Sequence, residues 1–177
     1  VAREGAVAVA RLGDVCHIEM GQAPQGAAYN ETGNGWPLIA GAGDFKDGKI
    51  APKKYTTVAP KLSQVDDIVL SIRASIGAKV WSDGEYCLGR GVAALSPKEG
   101  LDRAYLWHWL SANEAALRSK GRGATFLQVS KADIAELPIA PPPLPEQRRI
   151  ASILDEVDDL RARRPHGPRR ARSRRAP

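Results

Sequence analysis

The sequence predicts an α+β fold. It consists of a curved sheet of mixed or antiparallel strands with a few helices, followed by a C-terminal spacer helix of the coiled-coil type. Three observations predict it. From Asp67 to Leu95, short apolar segments alternate with Gly77, Asp83-Gly84 and Gly89 to Gly91, the punctuation of short strands joined by tight turns. An apolar stripe at helical spacing follows, from Asp102 to about Lys120. Pro141 to Pro143 then form a stiff extended connector, and a heptad pattern begins just beyond them. The implied division is a recognition-sized body over 1–143, a helix over 144–164 and an Arg-rich tail over 165–177 with no regular structure.

Each element has a local reason. Val7 and Val9 alternate with Ala8 and Ala10, predicting a strand that leads into a helical turn at Leu12 to Cys16. His17 to Met20 reads as a second strand, ended by Gly21 and Pro24. Residues 21–36, rich in Gly, Gln, Asn and Pro, read as one long loop, a length usually tied to function. Trp36 to Ala40 predicts a buried strand, and Asp47-Gly48 a hairpin turn followed by a basic strand. Asp67 to Arg73, Ala78 to Trp81, Tyr86 to Leu88 and Val92 to Leu95 are further strands. Asp102 caps the helix whose stripe is Tyr105, Leu106, Trp109, Leu110, Ala116 and Leu117, and Gly121 or Gly123 ends it. Ser130-Lys-Ala-Asp133 has the form of a capping box with Asp in place of Glu, and Pro138 to Ala140 an edge strand.

The C-terminal helix carries the most information. Pro145 sits in the first turn, where a missing N–H costs nothing, and Glu146 lies at the positive end of the helix dipole. Ile150, Ile153, Leu154, Val157 and Leu160 then form an apolar seam of about three turns. So short a helix cannot satisfy that face alone, which implies a partner.

Leu137-Pro-Ile-Ala-Pro-Pro-Pro-Leu-Pro-Glu-Gln-Arg-Arg-Ile-Ala-Ser-Ile-Leu-Asp155 resembles the junction between target-recognition domain and conserved helix in specificity (S) subunits of type I restriction–modification systems. Leu12-Gly-Asp-Val-Cys16 with Ile18-Glu-Met-Gly-Gln-Ala-Pro24 is similar to the opening of such a domain. Asp67-Ile-Val-Leu-Ser-Ile-Arg73 with Gly77, and Gly121-Arg-Gly-Ala-Thr-Phe126 before Ser130, resemble its later landmarks. The resemblance spans residues 7 to 161. It implies sequence-specific binding of double-stranded DNA, with no catalysis and no cofactor of the chain's own. Adenine methylation would fall to a methyltransferase (M) subunit carrying S-adenosylmethionine, and cleavage to a restriction (R) subunit. Such S subunits hold two recognition domains apart on antiparallel helices. This chain has one, so the seam could pair two copies as a homodimer reading a two-fold site.

Charge distribution qualifies the DNA reading. The chain has 177 residues and a formal net charge of +6, but Arg161, Arg163, Arg164, Arg169, Arg170, Arg172, Arg174 and Arg175 crowd its end. Without these eight, 18 basic residues face 20 acidic ones, so the body needs a local cationic patch rather than a general field. The tail itself reads either as a basic arm on phosphates or as the product of a cut or shifted reading frame. Cys16 and Cys87 lack ligand spacing and read as buried thiols. No segment is long and apolar enough for a bilayer and no secretory h-region is visible, so a cytoplasmic location without membrane contact is expected.

Enzymatic signatures are missing. There is no Gly-x-Ser-x-Gly, no phosphate loop ending in Gly-Lys-Ser/Thr and no His-Glu-x-x-His. The Pro run lacks the aromatic with which amino-methyltransferases hold a flipped base. Asp44 with Asp47-Gly-Lys49 imitates a nuclease metal site, but Asp47-Gly48 reads better as a turn. His108, between Trp107 and Trp109, reads as a packed histidine.

Residues suited to DNA fall in three places. Gln22, Gln25, Asn30 and Asn34 in the long loop offer amides matched to adenine, and Lys46, Lys49, Lys53 and Lys54 beside Tyr55 suit phosphates. Arg73, Arg90, Lys120 and Arg122 are flanked by small residues that allow close approach, with Thr125 in the same last segment. Arg73 and Arg122 lead this set because they fall on landmarks of the resemblance. Two other readings compete: a protein–protein adaptor that docks on a methyltransferase without reading DNA, and the recognition domain of a fused restriction–methylation enzyme.

Overall fold

The structure, a computed structural model, describes residues 8–123 and 127–163. Strand β1 (Ala10–Arg11) runs directly into helix α1 (Leu12–Val15) and strand β2 (Cys16–Met20). After a 3-10 turn at Gly26–Ala28 come β3 (Tyr29–Asn30), β4 (Trp36–Ile39), the hairpin of β5 (Phe45–Lys46) and β6 (Lys49–Ile50), and β7 (Lys54–Thr56). The middle supplies β8 (Ile68–Ser71), β9 (Lys79–Trp81), β10 (Cys87–Leu88) and β11 (Val92–Pro97). Helices α2 (Arg103–Ala112), α3 (Glu114–Ser119) and α4 (Lys131–Ala135) precede β12 (Pro138–Ile139) and the long α5 (Leu144–Arg163).

Two four-stranded sheets share the body. One is antiparallel, ordered β2-β11-β8-β9; the other, β10-β4-β7-β3, is mixed because β10 runs parallel to β4. All four residues of β8 are buried, and the strand period decides where each one goes. Ile68 and Leu70, with Ala93 and Leu95 of β11, face Leu106, Leu110 and Leu117 of the helical layer. Val69, with Val92 and Ala94, faces Ile39 and Leu88 of the second sheet. A central sheet covered on both faces explains why its strands read as unbroken apolar runs.

The predicted α+β class of curved antiparallel and mixed strands is therefore observed, divided into two packed sheets. Local signals translate directly. Asp102 accepts hydrogen bonds from the N–H groups of Ala104 and Tyr105, and Ser130 and Asp133 form the reciprocal capping box. Those bonds from Ser130 hold the Asp133 carboxyl below its ordinary pKa, with Arg122 and Lys120 adding to the effect. Asp47 (φ 50°) and Gly48 (φ 75°) make the two-residue hairpin turn.

Three expectations change. The first strand begins at Ala10, and Val7 lies outside the described residues. The long loop contains the 3-10 turn and β3, because Tyr29 and Asn30 find ladder partners in Thr56 and Tyr55. The helix predicted to run to Lys120 breaks at Asn113, whose side-chain amide donates to the Trp109 carbonyl at 2.8 Å and closes the preceding turn. The last helix spans Leu144–Arg163, within one residue of the 144–164 read from the sequence. The Arg-rich tail, from 164 on, is outside the described residues. Among those described, no helix is long and apolar enough to cross a membrane.

Candidate nucleic-acid interface

Backbone geometry at the end of β8 positions the central cation. Ser71 Oγ donates to the Arg73 carbonyl at 3.3 Å, and the next residue, Ala74, is held at φ 57° with its N–H on the Leu127 carbonyl at 3.0 Å. A left-handed alanine is strained and persists only where its surroundings over-determine it, a mark of functional turns. Gln128 forms a bridge to Arg73 on one side and to Arg122 on the other, so these two arginines flank one short segment.

Arg73 lies between two adjoining grooves. One, of about 380 Å³, is lined by Ala23, Tyr29, Leu38, Lys54, Arg73 and Arg90 among others. The second, of about 460 Å³, joins Arg73, Ala74 and Ser75 to the Gly41–Gly43 turn and Gly91. Lys54 from β7, Arg73 after β8 and Arg90 from the β10–β11 turn thus converge although the sequence separates them widely. A continuous trough carrying three cations and a phenol has the elements of phosphate contact and base-edge contact together. Gln22, not in either lining, follows the same path: its N–H bonds to the Leu88 carbonyl at 2.8 Å and its neighbour Ala23 lines the first groove.

Other candidates fall elsewhere. Lys120 and Arg122 form a second group around Asp133, with Arg122 Nη2 3.4 Å from Asp133 Oδ1. Lys46 and Lys49 pair across the β5–β6 hairpin, outside the trough lining, and Gln25, Asn34 and Lys53 are exposed but also outside it. The Asn30 side chain is engaged internally: its Oδ1 accepts from the N–H groups of Thr32 and Asn34, and its Nδ2 donates to the Asn34 carbonyl. Thr125 lies outside the described residues. Sequence reasoning overlooked Tyr29, 37 % exposed in the lining. The available signal was a lone aromatic in an otherwise polar, Gly-rich loop.

The glycines beside Arg90 serve the backbone rather than a ligand. A Cβ on Gly91 would lie 2.2 Å from the Ala40 carbonyl oxygen, and one on Gly89 would lie 2.8 Å from that of Ile39. They let the two sheets meet at the groove that Arg90 and Lys54 both line. Cys16 and Cys87 are both buried and line neither groove. Burial pushes the Cys16 thiol up to about 12 and that of Cys87 to about 11. Asp44 Oδ2 accepts the Ala40 N–H at 2.7 Å and stabilises its own turn.

Two packed sheets with a cationic trough thus sit at the root of a 20-residue helix. The chain belongs to the family described as type I restriction modification DNA specificity domain, whose model matches residues 5–166. It is 35% identical over 144 residues to the MjaX specificity subunit of Methanocaldococcus jannaschii, covering 81% of this chain and 34% of that protein. The HsdS subunit from Thermoanaerobacter tengcongensis superposes with a TM-score of 0.79 at 34% identity, covering 91% of this chain and 40% of that one. A chain from a type I R-M system solved for its complex assembly and conformational transition gives 0.79 at 36% identity, covering 91% and 42%. The chain therefore spans well under half the length of these relatives.

Proposed function

We propose that the chain reads one half of a bipartite DNA site for a type I restriction–modification system. In this reading the trough takes the duplex: Lys54 and Arg90 contact phosphates, while Arg73, supported from behind by its turn, reaches a base edge. The chain performs no bond chemistry itself. A methyltransferase subunit supplies S-adenosylmethionine and methylates adenine, a restriction subunit cleaves, and the assembly works in the cytoplasm. The observation that carries the proposal is the convergence of Lys54, Arg73 and Arg90 on one trough in a member of a DNA specificity family. Methylome sequencing with and without the gene tests it. One bipartite methyladenine motif should vanish on deletion, and an unchanged methylome would refute the proposal.

The rod supplies the pairing surface. Ile153, Leu154 and Leu160 are 49%, 37% and 65% exposed while Ile150 and Val157 are half-buried, so three of the five seam side chains are available for pairing. Burying one isoleucine stabilises an interface by about 1.5–3 kcal/mol. Ile153→Asp should therefore weaken self-association or methyltransferase docking by at least about tenfold. Sedimentation velocity checks this, and identical masses for wild type and variant, alone and with the methyltransferase, would remove the seam from the proposal.

A further inference from the structure

The fully buried line of α5 is not the apolar seam, of which only Ile150 and Val157 are half-buried. Gln147, Ala151 and Asp155 stand at successive i+4 steps, one line along the helix, and the seam lies roughly a third of the way round from it. Gln147 is only 1% exposed, and its amide is almost fully used. Oε1 accepts the Asp102 N–H at 2.8 Å, while Nε2 donates to the carbonyls of Pro142 at 2.7 Å and Gly100 at 2.9 Å. One side chain thereby ties the end of the proline connector, the turn before α2 and the N-cap of α2 to the rod. One turn on, Ala151 is 2% exposed against the body; a turn further, Asp155 Oδ1 lies 2.8 Å from His108 Nε2 on α2. A leucine of similar size would fill the same space, but a buried amide with three directed bonds also fixes an angle.

We propose that Gln147, seconded by the His108–Asp155 contact, is a positioning residue that sets the direction of the rod and hence the spacing between the two half-sites. The spacing part rests on the function proposed above. Leverage makes a small angular error matter. A helix of 20 residues is about 30 Å long. A swing of about 10° at its root moves the far end by about 5 Å, more than the ~3.4 Å rise of one base pair.

Two measurements test this. In the first, spin labels at Glu85→Cys on the body and Glu156→Cys on the rod report the angle as a distance distribution; buried Cys16 and Cys87 stay unlabelled. Gln147→Leu should broaden that distribution at least twofold. Asp155→Ala, a change at an exposed side chain that leaves the body folded, should broaden it less. Unchanged widths in both variants overturn the joint. In the second, methylome sequencing of cells carrying Gln147→Leu with the partner methyltransferase should show the same half-site sequences with altered or relaxed gaps. Retention of the wild-type gap despite a broadened distribution, or a uniform loss of half-site binding as well, overturns the spacing role. If the wild-type chain directs no bipartite motif, the proposed function fails, and the distance measurement still decides the joint.

Discussion

Arg73→Ala should lower affinity for the specific duplex by about 5- to 150-fold, the range of 1–3 kcal/mol for one good bidentate base contact. Affinity for a scrambled duplex should hardly change. The reason is position: Arg73 sits half-buried between both grooves, on a turn whose left-handed Ala74 and bridge to Gln128 hold it before DNA arrives. With the backbone already fixed, only the side chain is ordered on binding, and the guanidinium's planar fork loses less entropy per hydrogen bond than a lysine would. Lys54→Gln provides the contrast. As a phosphate contact it should weaken all sequences alike and flatten the salt dependence by about one unit of slope. Fluorescence anisotropy with specific and scrambled duplexes, each over a salt series, separates the two behaviours. An Arg73→Ala, Arg122→Ala double variant also distinguishes the competing functional classes: a DNA reader loses sequence-specific binding and keeps subunit assembly. If both survive, the chain is an adaptor.

Gly91→Val should cost about 3 kcal/mol of stability, the upper end for overpacking, and abolish DNA binding with it. Gly91 holds the two sheets together through its backbone, donating to the Ala40 carbonyl at 3.1 Å and accepting from Ile72 N–H at 3.0 Å. Its added Cβ would sit 2.2 Å from the Ala40 oxygen, a backbone atom that cannot move without taking β4 along. Gly21, whose Cβ would meet the Gly89 oxygen at 2.0 Å, belongs to the same crossing. Gly26→Ala is the control. Nothing lies within 4 Å of its added Cβ, so the melting midpoint should stay level or rise slightly. Thermal melts followed by circular dichroism decide the matter, and a Gly91→Val protein as stable as wild type would contradict the packing described.

Parts of the candidate site were legible beforehand because their signals are chemical. Arg73 and Arg90 were named as DNA-binding candidates from residue type and small neighbours, and Lys54 from its place in a lysine cluster beside Tyr55; the trough brings those three together. Lys46 and Lys49 carried the same signal, yet pair with each other across a separate hairpin. Asn30 reads as a base-contacting amide in sequence but serves as the internal brace of its own loop. A residue's chemistry states what it can bond, not whether the fold has already provided the partner.

The sequence by itself determined the elements whose causes lie within about four residues: the Asp102 cap, the Ser130–Asp133 box, the Asp47-Gly48 turn and the proline entry to the last helix. These follow from local hydrogen bonds and side-chain period, which act before any distant contact forms. Only the tertiary structure decided that one apolar region would divide into two sheets, that glycines beside Arg90 would admit a backbone rather than a ligand, and that Gln147 would reach back to Asp102. Each depends on register and close approach between segments tens of residues apart, and many such pairings are compatible with the same local pattern.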